Sequence, residues 1–193
     1  RQELAALNDT LLEQGAAAVV YSVLFPEPDR FSGDDAFAQS MQRIPTFLSA
    51  AATTDTTRTE GWHIGVAAIG PVLDNTAPEV DGLVRRIPML VRVKDALYPA
   101  LGLDVLRGLA ADPSYQVKAG EAGIQAVRVP SFETVQTDNV GRVWVNWNTT
   151  IPTNVEGRIV LIGVTAAGIT PLVPTPKGLM YPHRIQGALF ETL

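Results

Sequence analysis

Apolar and polar positions alternate in ways that predict helices and buried strands at both ends of the chain. From Gln2 to Gln14 apolar residues recur every three or four positions, which predicts an amphipathic helix that Gly15 ends. The continuous apolar run Ala17–Phe25 is typical of a strand buried on both faces. Pro26 follows and predicts its end.

The same reasoning extends over the rest of the chain. Asp34 is the predicted N-cap of a second helix that runs through Met41. A polar, Thr-rich stretch at 53–61 is predicted to be an exposed loop, and the Gly- and Pro-rich stretch Val164–Pro182 a second one. The remaining predictions are strands at 46–52, 64–69, 83–93, 115–118, 124–129, 133–137, 142–146 and 158–163, and helices at 96–111 and 183–193.

These elements predict an α/β fold in a single domain, residues 1–193. Helices and apolar strands alternate at both ends, which indicates a three-layer mixed sheet flanked by helices. The hairpin-rich middle is predicted to be a β-rich insertion, whose topology over residues 114–150 the pattern leaves open.

Composition narrows the possible functions. The chain has 15 basic and 20 acidic residues and a net charge of −5, which argues against nucleic acid as a partner. It has no cysteine, so disulfides and cysteine-held metals are excluded. No apolar run reaches the roughly 18 residues that a membrane span requires. The chain starts at Arg1 within a helical pattern, so we expect a soluble piece of a longer protein.

No catalytic constellation is visible, and we predict that the domain is not an enzyme. His63 and His183 lie far apart and lack the spacing of metal ligands. The sequence has no G-x-S-x-G motif, and the glycine-rich loop at 163–168 lacks the lysine of a phosphate-binding loop. We therefore predict no cofactor and no metal. Backbone amides of that loop remain candidates to line a small-molecule crevice at a strand end.

Four collinear segments resemble the CHASE domain of type 2, a sensory extracellular domain. The first is the helix–Gly–strand segment at 11–29, and the second is Asp81-Gly82-Leu83-Val84-Arg85-Arg86, similar to the family's D-G-x-x-R-R element. The others are the strand at 157–163 with Thr165 and Gly168, and the segment at 175–182, which contains Thr-Pro and Met-Tyr-Pro. Together they span nearly the whole chain.

The resemblance implies a sensor domain on the periplasmic or extracellular face of a bacterial inner membrane protein. Membrane helices would flank it, outside these 193 residues. Its output would be a cytoplasmic adenylate cyclase, histidine kinase or diguanylate cyclase. Such outputs usually work in pairs, so we expect a homodimer. The ligand would be a small molecule or a protein.

Six residues are the candidates for ligand binding near the predicted crevice: Ser22, Asp81, Arg85, Thr165, Thr175 and Gln186. Arg85 either grips an anionic group or pairs with Asp81 across the turn. The family usually has Asp where this chain has Ser22, Asp at the position of Pro171, and the helix start G-V-E-I-H-A where Gln186 falls. We therefore hypothesise that the family's pocket is altered or lost. The alternative function is a structural or dimerisation module that binds no small ligand.

Overall fold

The structure is a computed structural model that describes residues 1–25, 27–50, 71–73, 78–93, 96–148, 150 and 152–193. The predicted loop at 53–61, the predicted strand at 64–69 and His63 lie outside the described residues. The helices are α1 (Gln2–Glu13), α2 (Asp34–Met41), α3 (Leu101–Leu109) and α4 (Pro182–Phe190). The strands are β1 (Ala18–Ser22), β2 (Thr46–Ala50), β3 (Pro71–Leu73), β4 (Arg86–Pro88), β5 (Leu90–Val93), β6 (Ala96–Pro99), β7 (Gln116–Gly120), β8 (Gly123–Arg128), β9 (Val135–Gln136), β10 (Arg142–Trp144), β11 (Ile159–Gly163), β12 (Val173–Thr175) and β13 (Gly178–Met180).

The main sheet has the strand order β11-β1-β2-β3, and every described pair in it is parallel. Side chains of β1 alternate between its two faces. Val19 and Tyr21 pack in one apolar cluster with α1 and α2, whereas Ala18 and Val20 pack in another with α3 and with Phe190 of α4. The sheet therefore lies between two helical layers, which confirms the predicted α/β class.

A buried polar chain joins three elements on the α1/α2 face. The Tyr21 hydroxyl donates to Asn8 Oδ1 at 2.7 Å, and Asn8 Nδ2 donates to the Ser40 hydroxyl at 3.0 Å. Asn8 and Ser40 are fully buried. Burial raises the pKa of Tyr21, so the phenol stays protonated and continues to donate.

The β-rich part of the chain packs on the outer side of α3 and α4. Leu103 of α3 and Ile185 and Leu189 of α4 share one core with apolar residues of the small antiparallel sheets. Helices α3 and α4 are thus buried from both sides, by the main sheet and by this β-rich layer.

Two predictions in the middle of the chain are wrong. The single strand predicted at 83–93 is two strands, β4 and β5, which pair with different partners. Strand β4 ends at Pro88, opposite Arg142, and the Met89 amide then donates to the Gly141 carbonyl at 2.8 Å. The helix predicted from Ala96 begins only at Leu101, because residues 96–99 form strand β6 and end at Pro99.

Three other predictions also need correction. Asp34 is the first residue of α2 and not its N-cap, which is Gly33. The Asp34 carboxylate accepts instead from the backbone amide of Asp29 at 2.9 Å. The predicted loop 164–182 contains the hairpin of β12 and β13. Strand β1 ends at Ser22, where its partner β11 ends at Gly163, so residues 23–25 lie beyond the sheet.

Candidate functional site

The carboxyl ends of β1 and β11 form a topological switch point. The two strands are neighbours, and Ser22 lies opposite Gly163 at their ends. After β1 the chain passes to α2 on one face of the sheet, while α4, which follows β11, packs on the other face. Neighbouring strands whose connections leave on opposite faces open a crevice at their carboxyl ends, where ligands of open α/β sheets bind.

His183, near the start of α4, covers the end of β11. A Cβ atom placed on Gly163 would lie 2.2 Å from His183 Nδ1, so only glycine fits beneath this ring. His183 also stacks on Tyr181, with ring centroids 5.8 Å apart. Burial lowers the pKa of His183, and the nearby Arg184 lowers it further, so the imidazole is neutral at pH 7.

The loop after β11 forms a second side of the crevice. The Tyr181 hydroxyl donates to the Thr165 carbonyl at 3.0 Å, which ties this loop to the start of α4. Thr165 is exposed. Ser22 is half-buried at the end of β1.

The loop between β1 and α2 forms a third side. The Arg1 guanidinium contacts Asp34 and the Glu27 carbonyl, and it lies 5.3 Å from the centroid of the Phe25 ring. Burial opposes ionisation of Asp34, but the hydrogen bond from the Asp29 amide and the Arg1 guanidinium outweigh it and lower the pKa of Asp34. The Asp34 carboxylate is therefore ionised and already paired.

A groove of about 490 Å³ continues from His183 along the outer edge of β11. Its floor is the strand itself, and its walls are α4 and the segment that precedes β11. The residues that line it are 152–155, 157–161, His183, Arg184, Gly187, Phe190 and Glu191. Sequence reasoning placed β11 as a buried strand, but all five of its residues are half-buried because it lies at the sheet edge.

The six predicted binding residues do not lie at one place. Ser22 and Thr165 lie at the strand ends. Gln186 is buried in α4, on the helix face that also carries Leu189 and Phe190, which follow it by three and four residues. Thr175 is buried in β12, where its hydroxyl donates to the Gly178 carbonyl at 2.8 Å and accepts from the Lys177 amide at 3.2 Å. Thr175 therefore closes the β12–β13 hairpin.

Asp81 and Arg85 lie in the β-rich layer and pair with each other. Both Arg85 terminal nitrogens donate to the Asp81 carboxylate, at 2.9 and 2.6 Å. This hydrogen bonding from Arg85 lowers the pKa of Asp81 to about 2. The pairing of Arg85 across the turn, one of the two predicted roles, is therefore the one observed.

A larger ion-pair network surrounds them, and the sequence did not reveal it. Arg86 bridges Glu79 and Asp138, at 2.8 Å from each, and Arg142 Nε donates to Asp138 at 2.8 Å. The Arg86 guanidinium also lies 4.8 Å from the centroid of the Trp144 ring. The D-G-x-x-R-R element thus fastens β4 to β10. Asp138 lies 52 positions from Arg86, so no local pattern pointed to it.

His183 is the strand-end residue that sequence reasoning missed. It was read as an ordinary surface or partly buried histidine, because it has no titratable partner nearby in sequence. The only available signal was Gly163, at the end of an apolar strand. Across the described ranges, no group of three His, Asp or Glu residues is arranged to hold a metal ion.

The fold is a three-layer α/β domain with a crevice at the carboxyl ends of β1 and β11. A family model, described as the CHASE2 domain, matches residues 1–193, and the chain belongs to that family. CHASE2 domains are sensory extracellular modules of membrane receptors. Neither a curated protein nor a solved structure matches the chain significantly. In the part of the chain that the structure describes, no helix is long and apolar enough to cross a membrane.

Proposed function

We propose that this domain is the ligand-recognition module of a membrane-bound receptor, on the periplasmic or extracellular side of a bacterial inner membrane. It would control a cytoplasmic output domain such as an adenylate cyclase, histidine kinase or diguanylate cyclase. The observation that carries the proposal is the switch-point crevice between β1 and β11 in a member of a sensory family.

The charges around the crevice favour a small anionic ligand, such as a carboxylate. Helix α4 begins there, and a helix N-terminus favours negative charge. The neutral His183 can donate or accept one hydrogen bond at each ring nitrogen. The Asp34 carboxylate is occupied by the Arg1 guanidinium, which reduces its repulsion of an anion.

Signalling would follow from a difference in ligand affinity between two arrangements of the domain. Ser22, Thr165 and His183 belong to three different segments that meet at the strand ends. A ligand that contacts all three would favour the arrangement in which they are closest, and it would shift the population toward that state. We expect the receptor to be a homodimer, in which such a shift changes how the paired output domains meet.

The second candidate is a structural or dimerisation module that binds no small ligand. Asp81, Arg85 and Thr175 favour it, because each is engaged by neighbouring groups. The replacement of the family's usual acidic residues by Ser22 and Pro171 also favours it. In that case the strand-end crevice would be a remnant without affinity.

A thermal-shift screen of the whole chain against small carboxylates and phosphates separates the two candidates. A ligand at one hundred times its dissociation constant adds roughly 2.7 kcal/mol to the free energy of unfolding. We expect a stabilising ligand whose effect is lost in Ser22→Ala and Thr165→Ala and kept in Arg85→Ala. A screen without any stabilising compound supports the structural module instead.

A further inference from the structure

Strand β11 presents an outer edge that the described residues leave open. It pairs with β1 on one side only, and its five residues are half-buried, whereas all five residues of β2 are buried. The N–H and C=O groups on the outer side of an edge strand are a template for another strand.

Two other edge strands, β7 and β3, have features that discourage such pairing, and β11 lacks both. Lys118 lies in β7, beside a shift of register in its pairing with β8. Pro71, which has no N–H group, opens β3 at the other side of the main sheet. By contrast, β11 reads Ile-Val-Leu-Ile-Gly, without a charge, a proline or a register shift in its pairing with β1.

The charges beside this edge are arranged for a two-fold partner. The start of α4 lies at the Gly163 end of β11, and Phe190 packs in one cluster with Ile159, so the helix runs antiparallel to the strand. Arg184 and Glu191 both line the groove and are separated by seven residues, about 10 Å along the helix. Both are exposed, and neither forms an ion pair within the described ranges.

We propose that the edge of β11 is the interface between two copies of this chain. The two strands would pair antiparallel about Leu161 and join the two main sheets into one. The same two-fold axis would place the α4 helices side by side and antiparallel. Arg184 of each copy would then meet Glu191 of the partner subunit, so the pairing forms two complementary contacts.

The order of the two charges along α4 fixes the direction of this pairing. A parallel arrangement would instead bring Arg184 opposite its own equivalent. The charge pattern therefore selects the antiparallel pair. A second copy supplies a positive and a negative side chain, Arg184 and Glu191, at the same seven-residue spacing.

This interface specifies the surface of the proposed homodimer, and its test does not depend on ligand binding. Sedimentation equilibrium of the whole chain across the micromolar range measures the dimer dissociation constant. We expect Arg184→Glu to weaken the dimer by about tenfold or more, since it places like charges opposite each other. The exchange Arg184→Glu with Glu191→Arg is expected to restore the dimer, and Lys118→Glu, on strand β7, to leave it unchanged.

Two results would overturn the proposal. One is a wild-type chain that stays monomeric at every concentration. The other is a dimer in which the single charge reversal and the charge exchange have the same effect. Circular dichroism of each variant shows whether the fold is retained. A failed ligand screen with an intact, charge-dependent dimer would remove the proposed sensing function and leave this interface standing.

Discussion

The β-rich layer and the outer edge of β11 differ in how their charged side chains are paired. In the β-rich layer Arg85, Arg86 and Arg142 each contact a carboxylate. Around β11, Arg184 and Glu191 are exposed and form no ion pair with another described residue. Recruiting a paired arginine to a ligand requires breaking its existing contacts, whereas an unpaired one needs no such loss. The difference indicates that the first region holds the fold together and the second is available for partners.

The largest expected effect comes from filling the space beneath His183. Gly163→Ala puts a methyl group where the imidazole ring lies, so the ring must leave the strand end. Overpacking of this kind typically costs 1–3 kcal/mol of stability. We expect urea denaturation to show a loss of about 2 kcal/mol in the free energy of unfolding. The double variant Gly163→Ala with His183→Ala removes the clash and should recover most of the loss. Equal stability of the single and double variants would contradict the close packing of ring and strand.

Breaking the ion-pair network gives the next effect in size. Asp138→Asn weakens the contacts with Arg86 and Arg142 and removes a full charge that is 13% exposed. We expect a loss of roughly 1 to 2 kcal/mol in the free energy of unfolding, reduced by solvent screening from the value of a buried pair.

Glu133→Gln is the matched control for this network, since Glu133 is exposed and makes no ion pair with another described residue. Its effect should stay within about 0.5 kcal/mol. If the two variants are equally stable, the network does not fasten the β-rich layer as described.

The smallest effect concerns pH and sharpens the role of His183. Its pKa is lowered in the folded state, so between the folded and unfolded pKa values the unfolded chain binds more protons. The free energy of unfolding therefore falls as the pH decreases through about 6.5, the pKa of a histidine in the unfolded chain. We expect His183→Gln to flatten the dependence of unfolding free energy on pH between about 7 and 5, and His63→Gln to serve as the comparison. An unchanged slope in His183→Gln would contradict burial of this ring.

Local patterns predicted much of the fold, and tertiary contacts decided the rest. Strands β1 and β11 were predicted because each lies within an uninterrupted run of mostly apolar residues. The hairpin of β12 and β13 was missed because its short strands lie among prolines and glycines. Ser22 and Thr165 were chosen from the family resemblance. Thr165 follows the predicted strand 158–163, whereas Ser22 was predicted inside the strand 17–25 and in fact ends β1. His183 was not chosen, because its partner Gly163 is 20 positions away and acts through the absence of a side chain.

Mapping a stabilising ligand onto the domain shows whether the sensory site lies at the strand ends. Amide chemical shifts of the isotope-labelled chain would be recorded with and without the best compound from the thermal-shift screen. We expect the largest changes to cluster at Ser22, at Thr165 to Gly168 and at His183, with the turn from Asp81 to Arg85 unaffected. Changes centred on that turn, or no binding compound at all, would contradict a sensory site at the strand ends.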